Sequence, residues 1–331
     1  MVFIAVSACS SNPGDTPDSG TDAPAAIAPA AAAVSPPVGA APDGVVLPLS
    51  EPVLSSVFDG GTRSLVAIVG PADSATELGI YPARGAGRVV ALPAPVTAIA
   101  TDGDGAVYLA NRGGYTRVDV RSGRLDSVDV DGHPDTRFTA ITLRADGRVA
   151  LGSDSGGVYT IAPDHSVAAR IETFARVDEL AAQGDTVFAL DRSQTSVTTV
   201  EPGGDETGPA LRAGQGATTM VTDTAGRLLV ADTRGGQLLV FGSDPLMLRQ
   251  QYPVPGAPYG LASSPTLTWV SETASNIVVG YDLGTGIPVE KVRYRTVRQP
   301  NSLAYDDDTG TLYVASGVGE GVQVIATRTA P

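Results

Sequence analysis

The side chains that could do chemistry in this chain are sparse and mostly acidic. Thr101-Asp-Gly-Asp-Gly105 and Asp306-Asp-Asp-Thr-Gly310 present closely spaced carboxylates of the kind that hold a calcium ion. An EF-hand loop ends in Glu at its twelfth place, and counted from Asp102 that place is Gly113. Both loops are therefore expected to be hairpin turns. Gly152-Ser-Asp-Ser-Gly156 has the glycine spacing of a nucleophile elbow, but Asp154 stands where the serine must be. His133 and His165 fall in different loops, and no shared metal is expected of them. Trp269 could stack a flat cofactor, yet it sits inside an apolar run and is expected in the core. No catalytic residue, metal or cofactor is assigned. A set of polar residues does recur just after apolar runs: Asn111, Arg112, Ser153, Asp154, Asp191, Arg192, Asp232, Arg234, Glu272 and Ser316. Tyr259 and Asn301 stand just before such runs. If the fold brings these positions to one face, they form a candidate ligand-binding surface.

The elements that would carry them are short. The chain has 331 residues with 39 Gly and 25 Pro and only 5% aromatic residues, a composition of many turns rather than long helices. Its 22 Lys+Arg against 36 Asp+Glu give a formal charge of −14, which excludes a nucleic-acid binder relying on clustered cations. A single cysteine excludes an internal disulfide, a CxxC pair and a thiolate zinc site.

That cysteine is Cys9, preceded by Val6-Ser7-Ala8 and a short apolar run. The pattern resembles the lipobox of bacterial lipoproteins, which implies that Cys9 carries the lipid. A secretory signal also needs a positive n-region, and no Lys or Arg precedes Arg63, so residues 1–9 are expected to be the end of a longer signal. Residues 10–43 are almost entirely Ser, Pro, Gly, Ala, Asp and Thr. Such a segment buries too little apolar surface to offset its ordering entropy, and a disordered tether is expected, up to ~100 Å long at ~3.1 Å per residue. The implied location is the extracytoplasmic side of the cell membrane, with a soluble domain held by one lipid anchor.

From residue 44 the chain repeats itself. Thr97-Ala-Ile-Ala-Thr-Asp-Gly-Asp-Gly-Ala-Val-Tyr-Leu-Ala, Thr139-Ala-Ile-Thr-Leu-Arg-Ala-Asp-Gly-Arg-Val-Ala-Leu-Gly, and stretches from Asp178, Thr218, Tyr259 and Asn301 align with one another, with a weaker copy near Val57. Their first apolar anchors are Val57, Ile99, Ile141, Leu180, Met220, Leu261 and Leu303. Units of about 40 residues, each a strand, a Gly/Asp turn and a second strand, have the period of a β-propeller blade. The fold expected over 44–331 is all-β, a seven-bladed β-propeller. Ala67, Ala110, Gly152, Ala189, Ala231, Ser271 and Ala315 form a column of small residues in the second strands, expected to let neighbouring blades approach near the hub. The last unit has three strands, and Gly44-Val-Val-Leu-Pro-Leu-Ser50 resembles the fourth strand at Gly87-Arg-Val-Val. Residues 44–50 are expected to supply the missing outer strand and close the ring.

Gly226-Arg-Leu-Leu-Val-Ala-Asp-Thr-Arg-Gly-Gly-Gln-Leu-Leu-Val-Phe241 resembles an NHL repeat, and Val107-Tyr-Leu-Ala-Asn-Arg-Gly-Gly and Leu312-Tyr-Val-Ala-Ser-Gly resemble the YVTN-type repeat. Pro300-Asn-Ser-Leu-Ala-Tyr-Asp is similar to a stretch of the gluconolactonase family. With the lipobox and 21 Arg against one Lys, the whole resembles the lipid-anchored propeller lipoproteins of actinobacteria. The gluconolactonase resemblance implies a divalent cation at the hub, for which only Asn301 matches a ligand. Ser55 and Ser56 stand where that family has a glutamate, and Thr218 and Thr219 where it has an aspartate. The expected function is a monomeric binding or scaffold module for a protein or small molecule on one propeller face, without catalysis. The alternatives are a lactonase-like hydrolase and a small-ligand sensor.

Overall fold

A computed structural model describes residues 26–327, in which strands are the only regular elements. Cys9 and residues 10–25 of the expected tether lie outside the described residues. Seven four-stranded antiparallel sheets form, with strands in chain order from the innermost outward in the first six. These six blades span 53–91, 96–129, 138–172, 179–212, 217–253 and 258–295, and the seventh uses 300–326 together with Val45–Leu47.

The Gly/Asp turns make the hairpins as their chemistry dictates. The Asp102 carboxylate accepts the N–H groups of Asp104 and Ala106, both at 2.9 Å, while Gly103 adopts the positive φ that glycine tolerates. Asp306 likewise accepts the Asp308 N–H and the Thr309 hydroxyl. Both acidic loops are thus turns, and carboxylates at the ends of first strands also tie blades together. Asp59 accepts from Thr101 and Gly105 of the next blade, and Asp306 pairs with Arg63 at 2.9 Å across the ring closure.

The core lies between neighbouring sheets. Val66, Ile68, Leu78 and Ile80 of the first blade, for example, pack on Ile99, Val107, Leu109 and Val118 of the second. Middle strands such as Ser64–Val69 and Gly157–Ile161 are buried throughout, whereas the outer strand Val289–Arg295 is largely exposed. Trp269 is fully buried and stacks on Tyr294 and Tyr305, at 6.2 and 6.0 Å between ring centres, which is its expected core role.

The column of small residues holds with one shift. Ala67, Ala110, Gly152, Ala231 and Ala315 pair with the residue just before the anchor of their own first strand, at Ser56, Ala98, Ala140, Thr219 and Ser302. In the fourth blade the corresponding position, opposite Glu179, is Leu190, because Ala189 pairs with the anchor Leu180 itself. The anchor pair Leu180/Ala189 has the same spacing as Val57/Val66 in the first blade, so Leu190 takes the place that Ala67 holds there. Close packing at the column is real: a Cβ on Gly152 would lie 2.3 Å from Val177.

The ring closes as expected. Val45, Val46 and Leu47 pair with Val324, Gln323 and Val322. Gly44 turns the chain into this strand at φ 79°, and a Cβ there would meet the Val324 carbonyl at 2.3 Å. The buried Gln323 side chain secures the junction by donating to Asp43 O and Arg295 O and accepting the Val297 N–H.

One expectation is corrected. Residues 27–36 are not a free tether: they lie extended against the propeller, with Ala30 and Ser35 buried. The forces that hold them are hydrogen bonds to the main chain, which a count of apolar residues does not register.

Candidate functional site

In each blade the first strand runs along the hub, so the loop leading into it and the turn after the second strand share one face, called here the mouth face. The first strands of all seven blades line a hub cavity of about 640 Å³. Register shifts at Val53/Ser55, Val96/Ala98, Phe138/Ala140, Ala217/Thr219, Pro258/Leu261 and Pro300/Ser302 fall where these strands begin. Such bulges re-aim the side chains beside them.

Of the candidates from sequence, Arg192, Tyr259 and Asn301 line this cavity. The others are spent on the turns themselves. Asp191 is buried and accepts the N–H groups of Ala175, Arg176, Ser193 and Gln194, joining the incoming loop to the turn of its own blade. Asp232 does so for Gln215, Gly216 and Gly235. Glu272 is buried against Ser275, and Ser153 and Ser316 cap their own turns. Asn111 donates to Thr116 within its own hairpin, Arg112 donates to Asp135 O, and Asp154 lies 3.8 Å from Arg137. Arg234 faces the segment 26–36 and donates to Ala28 O. His133 packs edge-on against Tyr159, and His165 Nδ1 meets the Tyr115 hydroxyl at 3.3 Å.

The cavity also brings in residues that sequence reasoning missed, above all Glu179. Its carboxylate accepts the Met220 N–H at 3.0 Å. Burial pushes its pKa up to about 7, against the opposing pull of that N–H and of Arg192. Part of its surface stays open to the cavity although the group lies deep among protein atoms. Asp178 next to it is raised in pKa, chiefly by burial, while its carboxylate holds Arg176 at 2.6 Å and accepts the Arg192 N–H. Burial likewise raises the Tyr259 hydroxyl, with Glu179 adding to the effect. Arg192 Nε is buried with no partner among the described residues. The result is a cluster of Glu179, Asp178, Arg176, Arg192 and Tyr259 on one side of the hub. Position 179 carried a signal, since the equivalent places are Ser56, Ala98, Ala140, Thr219, Gly260 and Ser302, all small and uncharged.

The arrangement can hydrogen-bond a polar ligand and can exchange a proton near neutral pH. It suits a hard cation poorly. Asn301 Oδ1 accepts from Gln299 Nε2, the Ser56 and Ser302 hydroxyls bond each other at 2.8 Å, and Asp178 is already paired. Among the described residues no three His, Cys, Asp or Glu side chains converge as metal ligands.

Fold and site together define a seven-bladed β-propeller with a polar hub mouth. In fold the chain is similar to hydrazine synthase of Kuenenia stuttgartiensis, with TM-score 0.67 and 15% identity over 86% of this chain and 98% of that one. It is similar to virginiamycin B lyase from Staphylococcus aureus, with TM-score 0.69 and 12% identity over 86% and 99%. The WD40 repeats of RRP9 give TM-score 0.69 and 12% identity over 86% and 100%. At these identities the likeness is one of fold. No family model matches the chain, and no curated protein matches it in sequence.

Proposed function

We propose that the protein is a lipid-tethered, extracytoplasmic binding module that recognises its partner on the mouth face. The observation that carries the recognition role is the gathering of Glu179, Asp178, Arg176, Arg192 and Tyr259 around a hub cavity open to solvent. A buried charge costs stability unless it is paired, and one kept without full pairing marks a candidate functional group; Glu179 and Arg192 are only partly satisfied. The tethering role rests on Val6-Ser7-Ala8-Cys9 and the Pro/Ala-rich stretch that follows. Solved neighbours span lyases and WD40 repeats, so the fold does not itself choose between binding and catalysis. Expressed behind a lipoprotein signal peptide in a bacterial host, the protein should incorporate a fatty-acid probe and partition into detergent, and Cys9→Ala should abolish both. Equal membrane retention of the Ala variant would refute the anchor.

A second reading, hydrolysis at the same mouth, is favoured by Glu179, whose pKa near 7 suits a general acid or base. Its lactonase form predicts tight calcium binding that Asn301→Ala removes in calorimetry. The donors described above speak for the binding module instead.

A further inference from the structure

Residues 27–36 cross the mouth face of blades four to seven and are held almost wholly through their main chain. Arg234 donates to Ala28 O at 2.7 Å, Arg192 to Ala30 O, Gln299 Nε2 to Ala33 O at 2.9 Å, Arg298 to Ser35 O at 3.2 Å and Asn276 Nδ2 to Pro36 O at 2.9 Å. In return Ser193 O accepts the Ile27 N–H at 2.8 Å, Thr273 Oγ1 the Ala33 N–H at 3.1 Å and Gln299 Oε1 the Ser35 N–H at 3.0 Å. Two side chains of the segment are buried. Ala30 sits over Gly216, where a Cβ would come within 2.9 Å of its own. Ser35 Oγ donates to Thr273 O at 2.6 Å and accepts the Gln299 N–H at 3.0 Å. Val34, between them, is 83% exposed.

On the propeller side, Thr273, Asn276 and Gln299 are buried beneath the segment, at 0%, 7% and 7% exposure with it in place. Polar side chains placed in succession to meet carbonyls and N–H groups, with a seat for one small residue and a pocket for one hydroxyl, are the means by which an extended peptide is recognised. The segment makes no strand of its own, so nothing about sheet closure requires this arrangement.

We infer that this track is a peptide-binding site, occupied in cis by residues 27–36. Its partner is an extended, uncharged segment of another protein that carries a small residue and, five positions later, a serine or threonine. This rests on the binding-module reading and names its partner class. The cis segment is an intramolecular competitor. With a millimolar effective concentration for a short linker and a Kd of ~100 μM for the segment itself, it weakens any partner by roughly tenfold.

The test keeps the whole chain and replaces residues 38–41 with a protease site, so that cleavage frees the segment while Val45–Leu47 stays in the ring. A fluorescent synthetic peptide of residues 26–37 is titrated by anisotropy against uncut and cut protein, with thermal midpoints verifying that both remain folded. The expected result is saturable binding about tenfold tighter to the cut ring. It should weaken at least fivefold with Ser35→Ala in the peptide or Gln299→Ala in the ring, and vanish with Ala30→Arg in the peptide. No saturable binding to a folded cut ring, or equal binding of the Ala30→Arg peptide, would overturn the inference. Because the peptide is supplied directly, failure here refutes the track alone, while failure of mouth-face contacts in cells refutes the binding module.

Discussion

Glu179 stands directly opposite Leu190 in the first hairpin of the fourth blade. Directly paired residues in an antiparallel ladder project to the same side of the sheet, so the carboxylate shares its side with a fully buried leucine. Other blades oppose small residues there, such as Ala98 to Ala110 and Ala140 to Gly152. The fourth blade thus sets a large apolar side chain beside the one acid in its column. The raised Glu179 pKa follows from that neighbourhood.

Glu179 binds its proton more tightly folded than unfolded, so it makes the folded state lose stability as pH rises from its ordinary pKa of 4.5 to about 7. Below that window it contributes nothing, and above it the full penalty stands. Glu179→Gln should therefore flatten the fall between pH 4.5 and 7 and raise stability at pH 8 by on the order of 2 kcal/mol. Urea unfolding across this range measures it, and an unchanged slope in the variant would contradict the assignment.

Gln299 joins the segment 26–36 to the hub by bonding Ala33 O, the Ser35 N–H and Asn301 together. Gln299→Ala should release the segment, seen as faster amide exchange at Ala33 and Ser35 and new proteolysis near Val34. Amides in the blade cores should keep their protection. Loss of protection throughout the seventh blade would instead assign Gln299 to the core of the ring.

Deleting residues 1–43 removes the segment but leaves Val45–Leu47 paired with Val322–Ala326. A modest fall in thermal midpoint is expected, a few degrees. Deleting 1–50 strips the outer strand and exposes an apolar edge, which should produce aggregation. Equal midpoints and solubility for the two truncations would show that Val45–Leu47 does not close the ring.

The period of the anchors and the likeness of Gly44-Val-Val to Gly87-Arg-Val-Val were enough to read the blades and their closure, because every copy obeys the same packing constraint. The fourth blade departs because a leucine, Leu190, takes the place that a small residue holds elsewhere, and Ala189 lies one position off the column. At the site, repetition favoured the wrong emphasis. Asp191 and Asp232 recur because each blade needs its incoming loop bonded to its turn, whereas Glu179 is informative because it does not recur. Residues 26–36 were hidden for a different reason. Ala and Pro carry little information in their side chains, and the segment is held by carbonyls that every residue has.

Recognition at the mouth face is tested most directly by photo-crosslinking in intact cells. A photoreactive residue replaces Arg112 or Asp154 on that face, or Asp146 or Asp185 in the turns at the other end of the blades, where the Asp146 N–H bonds the Asp185 carboxylate. The account predicts a discrete adduct of fixed mass from the mouth-face positions and none from the opposite turns. Adducts confined to Asp146 and Asp185, or none from any position, would contradict it.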